Sequence, residues 1–226
     1  PPEAAGGGAA ESEAVREKVR AGYAEIARTG QWSGVQGEPM PPPAMPPLQV
    51  IPVGRNAHSI LTDEGNRYVY VPTLGSDQVF QFSFDAHSGR LSSNTPAFAQ
   101  MQAGTGPRHF VTSADNKFLY MLSELLGSVT TFALDAGSGL LSEISSASGL
   151  PSGAHLVTGA PRVAAGAADT APPRNREHDI WAADIHLRPD GRFLYISERT
   201  GSVLAAFSVN GATGKRPHPP SLPGRG

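Results

Sequence analysis

Two arginines, a histidine and a glutamate stand at matching places in three related segments of this chain. When the segments are aligned on Tyr70, Tyr120 and Tyr195, His58, Arg108 and Ala183 fall twelve residues before the tyrosine, just ahead of the first strand of each segment. Leu74, Glu124 and Arg199 fall four residues after it, although a one-residue gap would bring Glu198 in line with Glu124 instead. Repeats related by rotation carry equivalent positions to one axis, so His58, Arg108, Glu124 and Arg199 are the candidate site. Their chemistry is specific in kind. Two guanidinium groups bind a carboxylate or phosphate through forked hydrogen bonds. A neighbouring Glu or His can serve as general base or acid, and an Arg can stabilise an oxyanion. The plainer reading is that Arg108 pins a turn and Glu124 pairs with a cation, as structural ion pairs do. Ser123 is only a neighbour of Glu124, with no Ser-His-Asp pattern around it. His and Asp near 178–190 lack metal-ligand spacing, so neither metal nor cofactor is expected.

The segments that carry these residues share one order of elements. They run from Arg55 to Ser92, from Gly104 onward, and from Trp181 to Lys215. Each has a short apolar strand, a D/N/G turn, an aromatic-rich strand holding the tyrosine, a Gly- or Ser-containing turn, and a third alternating strand. Each closes on a related hairpin, Asp85-Ala-His-Ser-Gly89, Asp135-Ala-Gly-Ser-Gly139 and Asn210-Gly-Ala-Thr-Gly214. A repeat of about 50 residues with about four short strands is the signature of a β-propeller blade. The fold class is therefore all-β. His109 and His186 read as strand residues packed between blades, His87 as a solvated hairpin residue, and Trp181 as core between blades.

Outside the repeats the chain changes character. Residues 1–47 form an extension: a low-complexity start, an amphipathic helix over 12–29 with Ser12 as cap and Gly30 as stop, and a Pro-rich linker. Blade sequence begins near Leu48, where Leu48–Val53 reads as a strand, and the propeller region is 48–215. An aperiodic insertion interrupts it at 151–178, and 216–226 reads as a disordered tail. The chain has 226 residues, no cysteine and a formal net charge of −2, so a broad basic surface for nucleic acid is excluded. No apolar run reaches the roughly 20 residues of a membrane span, and no signal peptide is evident, which makes the cytoplasm the default location. Closed propellers use about four to eight blades. About three are present here, so the chain is expected to be part of a longer propeller, and open sheet edges could support self-association.

GPRHFVTSADNKFLYMLSEL at 106–125 and WAADIHLRPDGRFLYISERTGSVLAAF at 181–207 closely resemble the propeller-type 6-phosphogluconolactonases and their relatives, the fungal carboxy-cis,cis-muconate cyclases. The resemblance covers roughly residues 48–210. It implies a seven-bladed propeller and a metal-independent lactonase of the pentose phosphate route that takes a small anionic lactone. The residues it carries over as catalytic are His58, Arg108, Glu124 and Arg199. It implies that the arginines hold the anion and the polarised carbonyl while Glu124 or His58 activates water. A cyclase or lactonase acting on a dicarboxylic acid is the first alternative, and a silent propeller piece that binds a partner protein is the second.

Overall fold

The computed structural model describes residues 47–163, 175–211 and 213–214. The expected helix at 12–29, the Pro-rich run before Pro47, residues 164–174 of the insertion and the tail from 215 lie outside them. The chain divides into two units, Pro1–Pro47 and Leu48–Gly226, and the second carries the site.

The described residues of that unit form eleven strands in three antiparallel sheets. Sheet 1 is β1 (Leu61–Thr62), β2 (Tyr68–Thr73), β3 (Gln78–Asp85) and β4 (Arg90–Gln100). Sheet 2 is β5 (Pro107–Thr112), β6 (Phe118–Ser123), β7 (Ser128–Leu134) and β8 (Leu141–Ser148). Sheet 3 is β9 (Ala182–Leu187), β10 (Phe193–Glu198) and β11 (Val203–Ser208). Each sheet is a meander in sequence order, as expected of consecutive propeller blades.

The sequence explains the layering. In β6, FLYMLS, side chains alternate between the two faces of the sheet, and both faces are apolar. Leu119 and Met121 enter a core with Tyr68, Tyr70 and Val79 of sheet 1. Phe118, Tyr120 and Leu122 enter a second core with Ile185, Leu194 and Ile196 of sheet 3. Burying each such large side chain contributes about 1.5–3 kcal/mol. Sheet 2 is thus held on both faces. Sheet 3 buries only the Leu194/Ile196 face, and its other face leaves Tyr195 and Leu204 exposed.

Turn chemistry fixes the repeats. The first turn of each blade places Asn66, Asn116 or Gly191 at positive φ, and the second places Asp77, Gly127 or Ser202 there. Asn, Asp and Gly adopt this left-handed backbone most readily. The closing hairpins superpose in kind: Gly89, Gly139 and Gly214 donate their N–H groups to the carbonyls of Asp85, Asp135 and Asn210, at 2.8, 2.7 and 2.8 Å. At Gly139 the blades also meet closely, since a Cβ there would stand 2.2 Å from the Tyr68 ring.

Three expectations need correction. Leu48–Val53 forms no ladder. Pro52 cannot donate a hydrogen bond, and the amide side chain of Gln49 bonds both the N–H and the carbonyl of Leu91, at 3.0 and 2.8 Å, in place of a strand. Arg108 lies within β5 rather than ahead of it, beside an irregularity between Pro107 and Phe110. His186 is not packed between blades: it shares the solvent-side face of sheet 3 with Tyr195 and is 78% exposed.

Candidate functional site

The inner ends of the three sheets bring the four candidates together. Turn closure decides their alignment. Thr73 pairs with Gln78, Ser123 with Ser128 and Glu198 with Val203, so all three turns have one length and no gap is needed. Leu74, Glu124 and Arg199 are therefore equivalent. Glu198 belongs to its own turn instead: it is buried, and its carboxylate accepts the N–H groups of Trp181, Thr200 and Gly201 at 2.8, 3.0 and 2.6 Å.

Backbone hydrogen bonds hold each position. His58 donates its N–H to Pro72 at 3.0 Å. Glu124 donates to Gly106 at 2.8 Å and accepts from Ala182 at 3.0 Å, which stitches the turn after β6 to the start of β9. Arg199 donates to Trp181 at 3.1 Å. The register of β5 shifts between Pro107 and Phe110, and Arg108 lies in that stretch; such irregularities commonly turn a side chain out of the regular alternation.

Glu124 is the hub of the side-chain geometry. Arg108 Nε lies 2.6 Å from Glu124 Oε2, a close and mostly buried ion pair. Arg108 Nη1 also donates to the carbonyl of Ala183, the residue at its own equivalent position in the next blade. Arg199 Nη2 stands 3.5 Å from Glu124 Oε1, and its Nε donates to the Trp181 carbonyl at 3.1 Å. His58 Nε2 is 3.9 Å from Glu124 Oε2. The His58 ring meets His109 edge to face at 5.0 Å, and His109 Nδ1 lies 3.0 Å from Asp184 Oδ1. Burial pushes the pKa of His58 below its usual value, with further lowering from Arg108 and His109 that outweighs the pull of Glu124. His58 is therefore neutral near pH 7, with a ring nitrogen able to accept a proton.

These groups line a cavity of about 280 Å³. Asn56, Leu74 and Arg162 complete its wall. A larger cavity, about 540 Å³, lies along the outer face of sheet 1, but Ile51, Val53, Val71, Phe82 and Leu91 make it apolar, and among the described residues His58 is its only ionisable group. Of these two cavities, the smaller one gathers the candidate ionisable groups. Among the described residues no cluster of three or more His, Asp or Glu is arranged around a metal position.

Arg162 is the residue that repeat comparison misses, because it sits in the aperiodic insertion. Tertiary contacts place it. Val157 forms a parallel bridge with Asp179, and Gly159 donates its N–H to Leu125 at 2.9 Å, so this stretch runs back along the turn that holds Glu124. Asn56 Nδ2 then reaches the Arg162 carbonyl at 3.5 Å. The Pro161–Arg162 pair echoes Pro107–Arg108 and is the one sequence signal that could have pointed to it. Trp181, expected in the core, instead supports the site: the guanidinium carbons of Arg162 and Arg199 lie 5.0 and 5.1 Å from its ring centroid.

Residues 52–217 match the family described as "Lactonase, 7-bladed beta-propeller". The chain is 35% identical over 164 residues to a 6-phosphogluconolactonase of Pectobacterium carotovorum subsp. carotovorum, covering 73% of this chain and 42% of that protein. It is 33% identical over 164 residues to the 6-phosphogluconolactonase of Serratia proteamaculans, covering 73% and 43%. The structure is similar to that of a periplasmic gluconolactonase from Pseudomonas aeruginosa, with a TM-score of 0.56 and 31% identity, over 71% of this chain and 39% of that one. The chain thus spans about two fifths of the length of these relatives.

Proposed function

The chain belongs to the seven-bladed β-propeller lactonase family, and from that premise we propose that it hydrolyses the lactone of a phosphorylated sugar acid, 6-phosphogluconolactone. The observation that carries this reading is the pairing of a neutral His58 with Glu124, which is fixed between Arg108 and Arg199 at one cavity. The names of the relatives supply the substrate class.

The residues divide the work as follows. His58 takes a proton from a water as that water adds to the lactone carbonyl carbon. Glu124 stands 3.9 Å from His58 and stabilises the imidazolium that forms. The carbonyl oxygen becomes an oxyanion and is met by the guanidinium of Arg108, which lines the same cavity. The same guanidinium keeps Glu124 in place. When the tetrahedral adduct collapses, the C–O bond of the ring breaks. The departing ring oxygen takes the proton back from His58, giving an open-chain hydroxy acid. Among the described residues that line the cavity, guanidinium groups outnumber carboxylates, which favours an anionic substrate.

We place the reaction in the cytoplasm, where the pentose phosphate route would present this substrate, although the Pseudomonas aeruginosa relative is described as periplasmic. No helix among the described residues is long and apolar enough to cross a membrane.

The test is hydrolysis of 6-phosphogluconolactone by the purified 226-residue chain, with spontaneous ring opening subtracted. Acceleration is expected, and Glu124→Gln and His58→Gln should each lower kcat by about a hundredfold or more, the usual scale for general acid–base groups, with the near-UV circular dichroism unchanged. No acceleration over the spontaneous rate would refute lactonase activity in this chain.

A further inference from the structure

We infer that Arg162 is a specificity-determining residue: with Arg199 it forms the subsite that takes a phosphate dianion and so selects a phosphorylated lactone over its neutral counterpart. This rests on the lactonase reading for the rest of the substrate.

The guanidinium groups of the cavity are not equivalent. Arg108 is committed, with its Nε on Glu124 and its Nη1 on the Ala183 carbonyl. Arg199 shares the same carboxylate at the longer distance of 3.5 Å and remains partly exposed. Arg162 forms no ion pair with any described carboxylate. It is held through its own carbonyl, by Asn56, and through the Trp181 ring. Contact with an aromatic face orients a guanidinium without neutralising it. Among the described residues Arg162 therefore brings a positive charge with no ion-pair partner to the wall of the cavity that Arg199 also lines, and both guanidinium groups lie against the same indole.

That arrangement suits one kind of group. Planar guanidinium forks match pairs of phosphate oxygens, and the hydrogen bonds formed are charge-assisted. A dianion can engage both arginines at once, whereas a neutral hydroxyl in the same place accepts a single weaker hydrogen bond. The pairing also leaves Arg108 and Glu124 undisturbed, so anchoring and chemistry use different side chains. Placement on the insertion, outside the repeat, is consistent with a role in selecting substrate rather than in building the blades.

The experiment measures kcat and KM for 6-phosphogluconolactone and for glucono-1,5-lactone with the parent chain, Arg162→Gln and Arg162→Lys. Losing one charge-assisted contact is expected to raise KM for the phosphorylated lactone about ten- to hundredfold. Its kcat should stay within about twofold, and kcat/KM for glucono-1,5-lactone should not change. Arg162→Lys should recover part of the loss, because a lysine keeps the charge without the fork. An equal fall for both lactones, or none for either, overturns the inference. Calorimetric titration with 6-phosphogluconate and with gluconate supplies a readout that needs no turnover. If the chain hydrolyses neither lactone, the lactonase reading fails, and Arg162 is then judged on binding alone. Tighter binding of 6-phosphogluconate that Arg162→Gln abolishes would sustain the subsite. Equal binding of the two acids by the parent chain, or no binding of 6-phosphogluconate, would overturn it.

Discussion

His58 is the residue on which the proposed chemistry turns, because only its neutral form can accept a proton from water. Burial lowers its pKa first, and the positive charge of Arg108 adds to this. The sign of the pH dependence follows. A histidine whose folded pKa lies below its ordinary value of 6.5 favours the folded state fully above pH 6.5 and loses that contribution as pH falls through the folded pKa. The acid limb of kcat/KM should therefore have its midpoint below pH 6.5, and a ring-proton NMR titration of His58 should give a midpoint on the same side. A midpoint at or above 6.5 in both would refute the environment described for this ring. His58, Arg108, Glu124 and Arg199 were legible as a set because the spacing to Tyr70, Tyr120 and Tyr195 is constant through every turn. Arg162 was not, since no repeat spans the insertion and it is tertiary contacts, those of Val157, Gly159 and Asn56 among them, that bring it to the cavity. Trp181 was misplaced for a related reason. An indole reads as core, and nothing in the sequence shows that two guanidinium groups will lie against it.

The turns and hairpins of the blades carry more of the specification than the strands do. Asp63 shows how. It is almost wholly buried, and its carboxylate accepts the N–H groups of Arg67 and Tyr68 at 2.7 and 2.8 Å, that of Gly65 at 3.3 Å, and the Asn116 amide of the next blade at 2.7 Å. Burial alone would raise its pKa, but these donors together hold it below the usual carboxylate value. Asp63→Ala should cost about 3 kcal/mol, since it removes a buried charge-assisted network and leaves several donors unmet. Urea unfolding checks this, and a loss under about 1 kcal/mol would show that water replaces the carboxylate at little cost. Gly139 makes the complementary case. Its φ of 71° and the Tyr68 ring leave no room for a Cβ, so Gly139→Ala should cost about 2 kcal/mol or more by the same measurement. The hairpin motifs announce such positions in sequence. Leu48–Val53 misleads by the same logic, because its apolar pattern suits a strand while Pro52 and the Gln49 side chain give it a different attachment.

At the scale of the whole molecule, stability is expected to be graded across the three sheets rather than shared evenly. Sheet 2 is packed on both faces, against Tyr68 and Tyr70 on one side and against Ile185, Leu194 and Ile196 on the other. Sheet 1 has its outer face partly covered, with Ile51 and Val53 against Val69, Val71 and Phe82. Sheet 3 has one packed face, and on the other Tyr195 is 42% and Leu204 82% exposed. Local opening follows the density of buried apolar contacts. Native-state hydrogen exchange should therefore show β6 and β7 protected the longest, with β10 and β11 exchanging about tenfold faster or more. The ordering matters for function because Arg199 follows β10 and Trp181 precedes β9. Half of the proposed anion subsite is thus carried by the least supported sheet, and binding of 6-phosphogluconate should raise the protection of β10 and β11 more than that of β6 and β7. Equal protection in sheets 2 and 3 without ligand, unchanged on dilution, would contradict the graded picture. Protection of β10 and β11 that falls on dilution would instead identify that face as the place where copies of the chain associate.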